Sequence, residues 1–212
     1  MHANAAVSVE RGVPYGLGKL ADIYWPDSGS GPAGGPAPTV LLWHGAGPDE
    51  RYALAPLAVA AAGHGLTVVV PDWRSDAPDG GGAHLLASLA FTRERAGSPG
   101  GLGEEAIVLA GWSRGGRSAA AVGVRPDAVG GWQPLGTEDV VVDIAASREF
   151  AALLAEKGWP VRFEEQPVDH AGIIGAEYDQ AAGRVRPATS PSTVAAGEQS
   201  ARMIAEAAGI TA

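Results

Sequence analysis

The chain has no cysteine. That excludes disulfides, thiolate metal sites and a cysteine nucleophile. It is also short of positive charge: 15 Lys and Arg stand against 24 Asp and Glu, for a formal net charge of −9. No Lys/Arg patch interrupts that balance, which argues against a nucleic-acid partner and for plain solubility. The five histidines (His2, His44, His64, His84, His170) are scattered, without a spacing such as His-x-x-x-His, so no metal ion is expected. No apolar run reaches the length that spans a bilayer. Met1 to Ala6 has neither the basic segment nor the apolar core of a signal peptide. What is present is 212 residues with 46% hydrophobic and 18% charged content, enough for one well-cored domain and short for two. The expectation is a single domain over 1–212, soluble, cytoplasmic, and monomeric or weakly associating.

Strand and helix signals alternate along most of the chain. Lys19 to Trp25 partly alternates and stops at Pro26, as a half-buried strand does. Asp27 to Pro38 is almost all Gly, Pro, Ser and Ala, a surface loop. Thr39–Trp43 and Leu66–Val70 are continuous apolar runs, suited to strands covered on both faces. Helices are expected over Pro56–Ala62, Ala83–Ala96, Ser147–Lys157 and from Ser192 or Thr193 to Ala208, with Gly63, Gly158 and Gly209 after three of them. Ala106–Ala110 and Val161–Glu164 read as strands, Ser118–Val122 as helical, and Ala128–Leu135 as ambiguous. The order implies an α/β fold: a mostly parallel, twisted sheet with helices on both faces.

One stretch carries chemistry. Gly111-Trp112-Ser113-Arg114-Gly115-Gly116 follows the Ala106–Ala110 run and precedes the small-residue helical stretch. That is strand, sharp turn and helix with a serine at the apex. The residues two before and two after such a serine crowd strand against helix, so only very small ones fit; here they are Gly111 and Gly115. The plainer reading is a glycine-rich turn whose serine is merely an N-cap. As a nucleophile the hydroxyl needs a base. The candidate is His170, in a loop just beyond a strand, with an ordinary surface histidine as the alternative. An acid must hold the imidazole in the right tautomer. Asp139, in Gly136-Thr137-Glu138-Asp139, completes the chain order Ser113, Asp139, His170 expected of an elbow triad. Glu138, Asp143 and Asp169 are rivals, although Asp143 reads better as a helix N-cap and Asp169 stands too close to His170 in sequence to pair with it. Oxyanion donors are expected from the N–H of Arg114 and from His44-Gly45-Ala46-Gly47, Ala46 first, with Gly45 or Gly47 as rivals. Gly45 and Gly47 also let the backbone approach a substrate closely. His44 reads as a satisfied structural histidine. Trp43 and Trp112 flank these elements, either as pocket lining or as core packing.

In this order the motifs resemble the α/β-hydrolase superfamily, and within it the carboxylesterase/lipase-like members. Ile23-Tyr24-Trp25-Pro26 is similar to the family's second-strand motif ending Tyr-x-Pro, and His44-Gly45-Ala46-Gly47 to its His-Gly-Gly-Gly oxyanion turn. Val70-Pro71-Asp72-Trp73-Arg74 is similar to its Asp-Tyr-Arg after the fourth strand. The elbow, Gly136–Asp139 and Asp169-His170-Ala171-Gly172 follow in family order, so the resemblance runs from Leu20 onward. It implies the α/β-hydrolase fold, with Ser113 as nucleophile, Asp139 as acid and His170 as base. The chain departs from the family at one place: Asp139 comes only 26 residues after Ser113, where the family fits a helix, two strands and a cap or connecting helix. A parallel crossover needs roughly a dozen residues. One strand and any cap are therefore expected to be missing, and the strand leading to Gly136 to be reduced to Pro134-Leu135.

The function implied is a serine hydrolase acting on a carboxylic ester through an acyl-enzyme, with a small-molecule substrate and no need of a cofactor or metal. A site without a cap favours small or exposed esters. The alternatives are an amidase or peptidase on the same triad, and a non-catalytic relative that binds a small molecule or a protein.

Overall fold

The computed structural model describes residues 7–26, 37–96, 107–123, 131–136, 141 and 143–210. Its main sheet holds β1 (Val7–Gly16), β2 (Lys19–Pro26), β3 (Thr39–Trp43), β4 (Thr67–Pro71) and β5 (Val108–Gly111), in the order β1-β2-β4-β3-β5. β3 lies parallel to both β4 and β5, β2 is antiparallel to β4, and β1 is antiparallel to β2. Only β2 is therefore reversed, and the sheet is mostly parallel.

The uninterrupted apolar runs have a simple cause. Side chains alternate between the faces of a strand, and here each face has its own helices. Tyr24, Val40, Leu42, Val68 and Val70 pack with α1 (Arg51–Gly63) and with α5 (Pro191–Ala207). Ile23, Leu41, Trp43 and Val69 pack with α2 (Gly82–Ala96) and with Ala119 of α3 (Arg114–Gly123). Every residue of β3 and of β4 is buried, as strands covered on both sides must be.

Beyond α3 the sheet is interrupted. β6 (Gly131–Gly136) and β7 (Val161–Gln166), joined through α4 (Ile144–Glu156), form a parallel pair in register from Gly131↔Val161 to Gly136↔Gln166. This pair is a separate two-stranded sheet, and β5 ends the main one. Among the described residues no strand bridges the two, which is compatible with a shortened sheet. The described part of the ambiguous Ala128–Leu135 stretch belongs to six-residue β6, which runs to Gly136, so that strand is not cut down to Pro134-Leu135.

Other boundaries differ from the expectations. α1 starts at Arg51 rather than Pro56 and holds that proline inside it. The carbonyl that loses its donor belongs to Tyr52, an exposed residue. The elbow helix starts at Arg114, not Ser118. α5 is capped by Ser190, whose Oγ accepts from the Thr193 amide at 3.4 Å, with Pro191 in the first turn. Asp143 caps α4 by accepting from the Ala145 amide at 2.8 Å. β1 and the antiparallel hairpin of β8 (Ala176–Asp179) and β9 (Arg184–Pro187) are additions to the sequence reading.

Candidate active site

The elbow at Ser113 is a steric device. Ser113 has φ of 55°, in the left-handed region, where among the described residues only Leu17 joins it as a non-glycine. A Cβ on Gly111 would stand 2.3 Å from the Gly115 carbonyl carbon, and a Cβ on Gly115 would stand 2.3 Å from the Trp43 carbonyl oxygen. Both obstacles are backbone and cannot rotate away. Turn, helix start and the end of β3 touch one another through the space that two absent side chains leave. The register pair Trp43↔Gly111 and the Trp112 amide donating to Trp43 O at 2.9 Å set the serine beside the turn that follows β3.

That turn is organised around His44, which is fully buried. Its Nε2 receives the Trp73 backbone N–H at 3.3 Å, and its Nδ1 lies 3.1 Å from Gly45 O. An amide can only donate, so Nε2 is the acceptor, and the ring proton sits on Nδ1 and is donated to Gly45 O. Burial pushes the imidazole down to about 4, against 6.5 for the free group. His44 is thus a neutral structural group. In the trans Gly45–Ala46 peptide the N–H of Ala46 points opposite to Gly45 O, and so away from the histidine. Ser75 Oγ donates to Ala46 O at 2.9 Å, which fixes the next peptide. Neither the Ala46 nor the Arg114 amide has an acceptor among the described residues, whereas the Gly47 amide is taken by Glu50 Oε2 at 3.2 Å.

His170 follows β7 by four residues and lies half-buried at the same end of the fold. Trp112 makes the connection. Its indole Nε1–H donates to His170 O at 2.8 Å, and the two rings lie 4.9 Å apart, tilted by 35°. The same indole lies 3.2 Å from where a Cβ on Gly45 would stand. Asp169 turns away, accepting the Gly172 amide at 2.7 Å and so starting the 3-10 turn Gly172–Ile174. Asp139 and Glu138 lie outside the described residues. Trp43 belongs to the core: it is fully buried and its Nε1–H donates to Ser88 Oγ at 3.0 Å.

One polar cluster lies beneath the turn. His44, Asp49 and Asp72 bring ligand atoms within 4.8 Å of one another. Lys19 already contacts Asp72 at 3.0 Å and Arg51 contacts Asp49 at 2.8 Å, and both nitrogens of His44 are engaged. The donor set is thus neutralised by the chain's own cations and is a poor fit for a metal ion.

No protein-family model matches the sequence, and no protein of curated function matches it. Solved structures do match in shape. An α/β-hydrolase enzyme, MGS-M1, from a Medee basin deep-sea metagenome library aligns with TM-score 0.69 at 13% identity, over 98% of this chain and 100% of its own. The esterase Est2 of the planctomycete Thermogutta terrifontis, with propionate bound, aligns with TM-score 0.65 at 15% identity, over 96% and 93%. The ester-hydrolase EH1AB1 from the metagenome of Lake Arreo, complexed with a bipyridine phosphonate derivative, gives 0.60 at 15% identity, over 98% and 82%. Strand order, elbow and neighbours agree: the chain has the α/β-hydrolase fold.

Proposed function

We propose that the chain is a serine hydrolase that cleaves carboxylic esters. Ser113 Oγ attacks the ester carbonyl carbon while His170 takes the hydroxyl proton, and the N–H groups of Ala46 and Arg114 receive the developing oxyanion. The tetrahedral species then collapses. His170 returns the proton to the leaving alkoxide, which departs as alcohol, and the acyl group remains on Ser113. Water, deprotonated by His170, releases the acid and restores the serine. Asp139 orients the imidazole and balances its charge. Asp139 follows Gly136 in the chain by three residues and His170 follows Gln166 by four, and Gly136 and Gln166 are register partners at the ends of parallel β6 and β7. The observation that carries the reading is the contact of Trp112, next in the chain to Ser113, with His170.

The wild-type chain should be labelled by a fluorophosphonate probe and should hydrolyse short-chain p-nitrophenyl esters. Ser113→Ala should abolish labelling and cut kcat by about a millionfold. Folded wild-type protein that takes no label would defeat the proposal in favour of a binding module. A steep preference for long acyl chains in an ester panel would defeat the open-site expectation, and faster turnover of amides than of matched esters would replace esterase by amidase.

A further inference from the structure

Trp112 is held at three points. Its backbone N–H donates to Trp43 O, its Nε1–H donates to His170 O, and its six-membered ring sits against the bare α-carbon of Gly45. An indole fastened at its N–H and wedged along its ring has little freedom to adapt to a ligand, so lining a substrate pocket is not its principal work. Among the described residues, no strand pairing joins the half of the fold that carries His170 to the half that carries Ser113: β5 ends the main sheet and β6–β7 form their own. In a continuous sheet the backbone ladder fixes the distance between such loops. Here that task passes to side chains, and Trp112 reaches the His170 loop from the residue adjoining Ser113.

We propose that Trp112 is a positioning residue that clamps the His170 loop against Ser113 and the Gly45–Ala46 turn across the interruption in the sheet. Its ring, 4.9 Å from that of His170, also offers a π-face to the imidazolium formed during proton transfer. This inference rests on reading His170 as the base. It predicts a loss in turnover with little loss in binding, because a misplaced base slows chemistry without removing substrate contacts. Displacing a catalytic group by about an ångström costs about a hundredfold in rate.

The test compares Trp112→Phe, which keeps a ring and loses the N–H, with Trp112→Leu, which loses both, and with Gly45→Ala, whose added Cβ crowds the indole from its other side. We expect kcat and the fluorophosphonate labelling rate to fall about a hundredfold in Trp112→Leu and about tenfold in Trp112→Phe, with KM within about threefold of wild type. The His170 ring-proton signals, identified by their loss in His170→Gln, should sit under the indole ring current and move in Trp112→Leu. Unchanged kcat, or a change confined to KM, would overturn the clamp and return Trp112 to the pocket wall. If Trp112→Leu does not fold, Trp112→Phe and Gly45→Ala decide by the same measurements. If the wild-type chain takes no label, the hydrolase reading falls separately. The His170 signals then judge the contact alone: fixed in Trp112→Leu they overturn the clamp, shifted they support it.

Discussion

On the β3–β5 side of the candidate site, position is set by atoms that cannot turn. Gly111 and Gly115 bring strand, turn and helix into backbone contact, and buried His44 holds the Gly45–Ala46 peptide through a bond whose direction the Trp73 amide dictates. On the β6–β7 side, position is set by attachments that can. The pair stands apart from the main sheet among the described residues, α4 leans on exposed ion pairs such as Arg148–Glu165, and the His170 loop is held by side chains: Val168, Ala171, Ile173 and Ile174 in the core, and the Trp112 indole on His170 O. The contrast teaches that removing a strand need not disturb the nucleophile, whose geometry is local. The burden moves to whatever holds the base.

The sharpest way to break the first side is Gly115→Ala. Its Cβ meets the carbonyl oxygens of Trp43 and His44 at 2.3 and 2.4 Å, so backbone must move. A loss of roughly 3 kcal/mol or more in urea denaturation is expected, with loss of labelling at Ser113. The same change at Gly63, where nothing lies within 4 Å, should leave labelling intact.

Acid attacks the same side through His44. The folded chain takes up that proton only near pH 4, the unfolded chain near 6.5. The contribution is therefore complete above pH 6.5, falls as the pH drops toward 4, and is constant below. Its size is on the order of 3 kcal/mol. Urea midpoints measured across that window should show the slope, and His44→Asn should flatten it.

A smaller effect sharpens the comparison from the other side. Asp143→Ala removes the α4 cap and should cost about 1 kcal/mol. The loss should appear as earlier amide exchange in α4 and β7, with β3 and β4 unchanged. Smallest is Ser75→Ala, which frees Ala46 O and should cost about 0.5–1 kcal/mol. It should lower the labelling rate at Ser113 severalfold while leaving exchange in α4 unaltered.

The parts legible in the sequence are those decided by neighbours in the chain. Thr39–Trp43 could only be a strand covered on both faces, and the spacing of Gly111, Ser113 and Gly115 encodes a collision that any strand-to-helix turn must avoid. Asp143 announced itself as a cap. What escaped was decided by distant partners. Pro56 reads as a helix start, yet packing of Ala53 and Leu54 carries α1 back to Arg51. Trp43 reads equally as pocket lining or as core packing until Ser88, on α2, supplies the acceptor its indole needs. β1 is interrupted by a bulge between Glu10 and Val13, which breaks the alternation that marks a strand. The 3-10 turn and the hairpin after His170 have short segments of mixed polarity, with no period long enough to read. His44 was legible as a satisfied structural histidine, but what satisfies it was not; its grip on the peptide that carries the Ala46 N–H depends on Trp73, 29 positions away.

β5 is bonded to β3 along one side only, and among the described residues its other side meets no strand. Alternate peptide groups of Val108–Gly111 therefore look outward. In heavy water those amides will trade hydrogen for deuterium while β3, gripped by β4 and β5, still keeps its own. The strand that delivers the serine thus carries the outermost amides of the parallel ladder among the described residues.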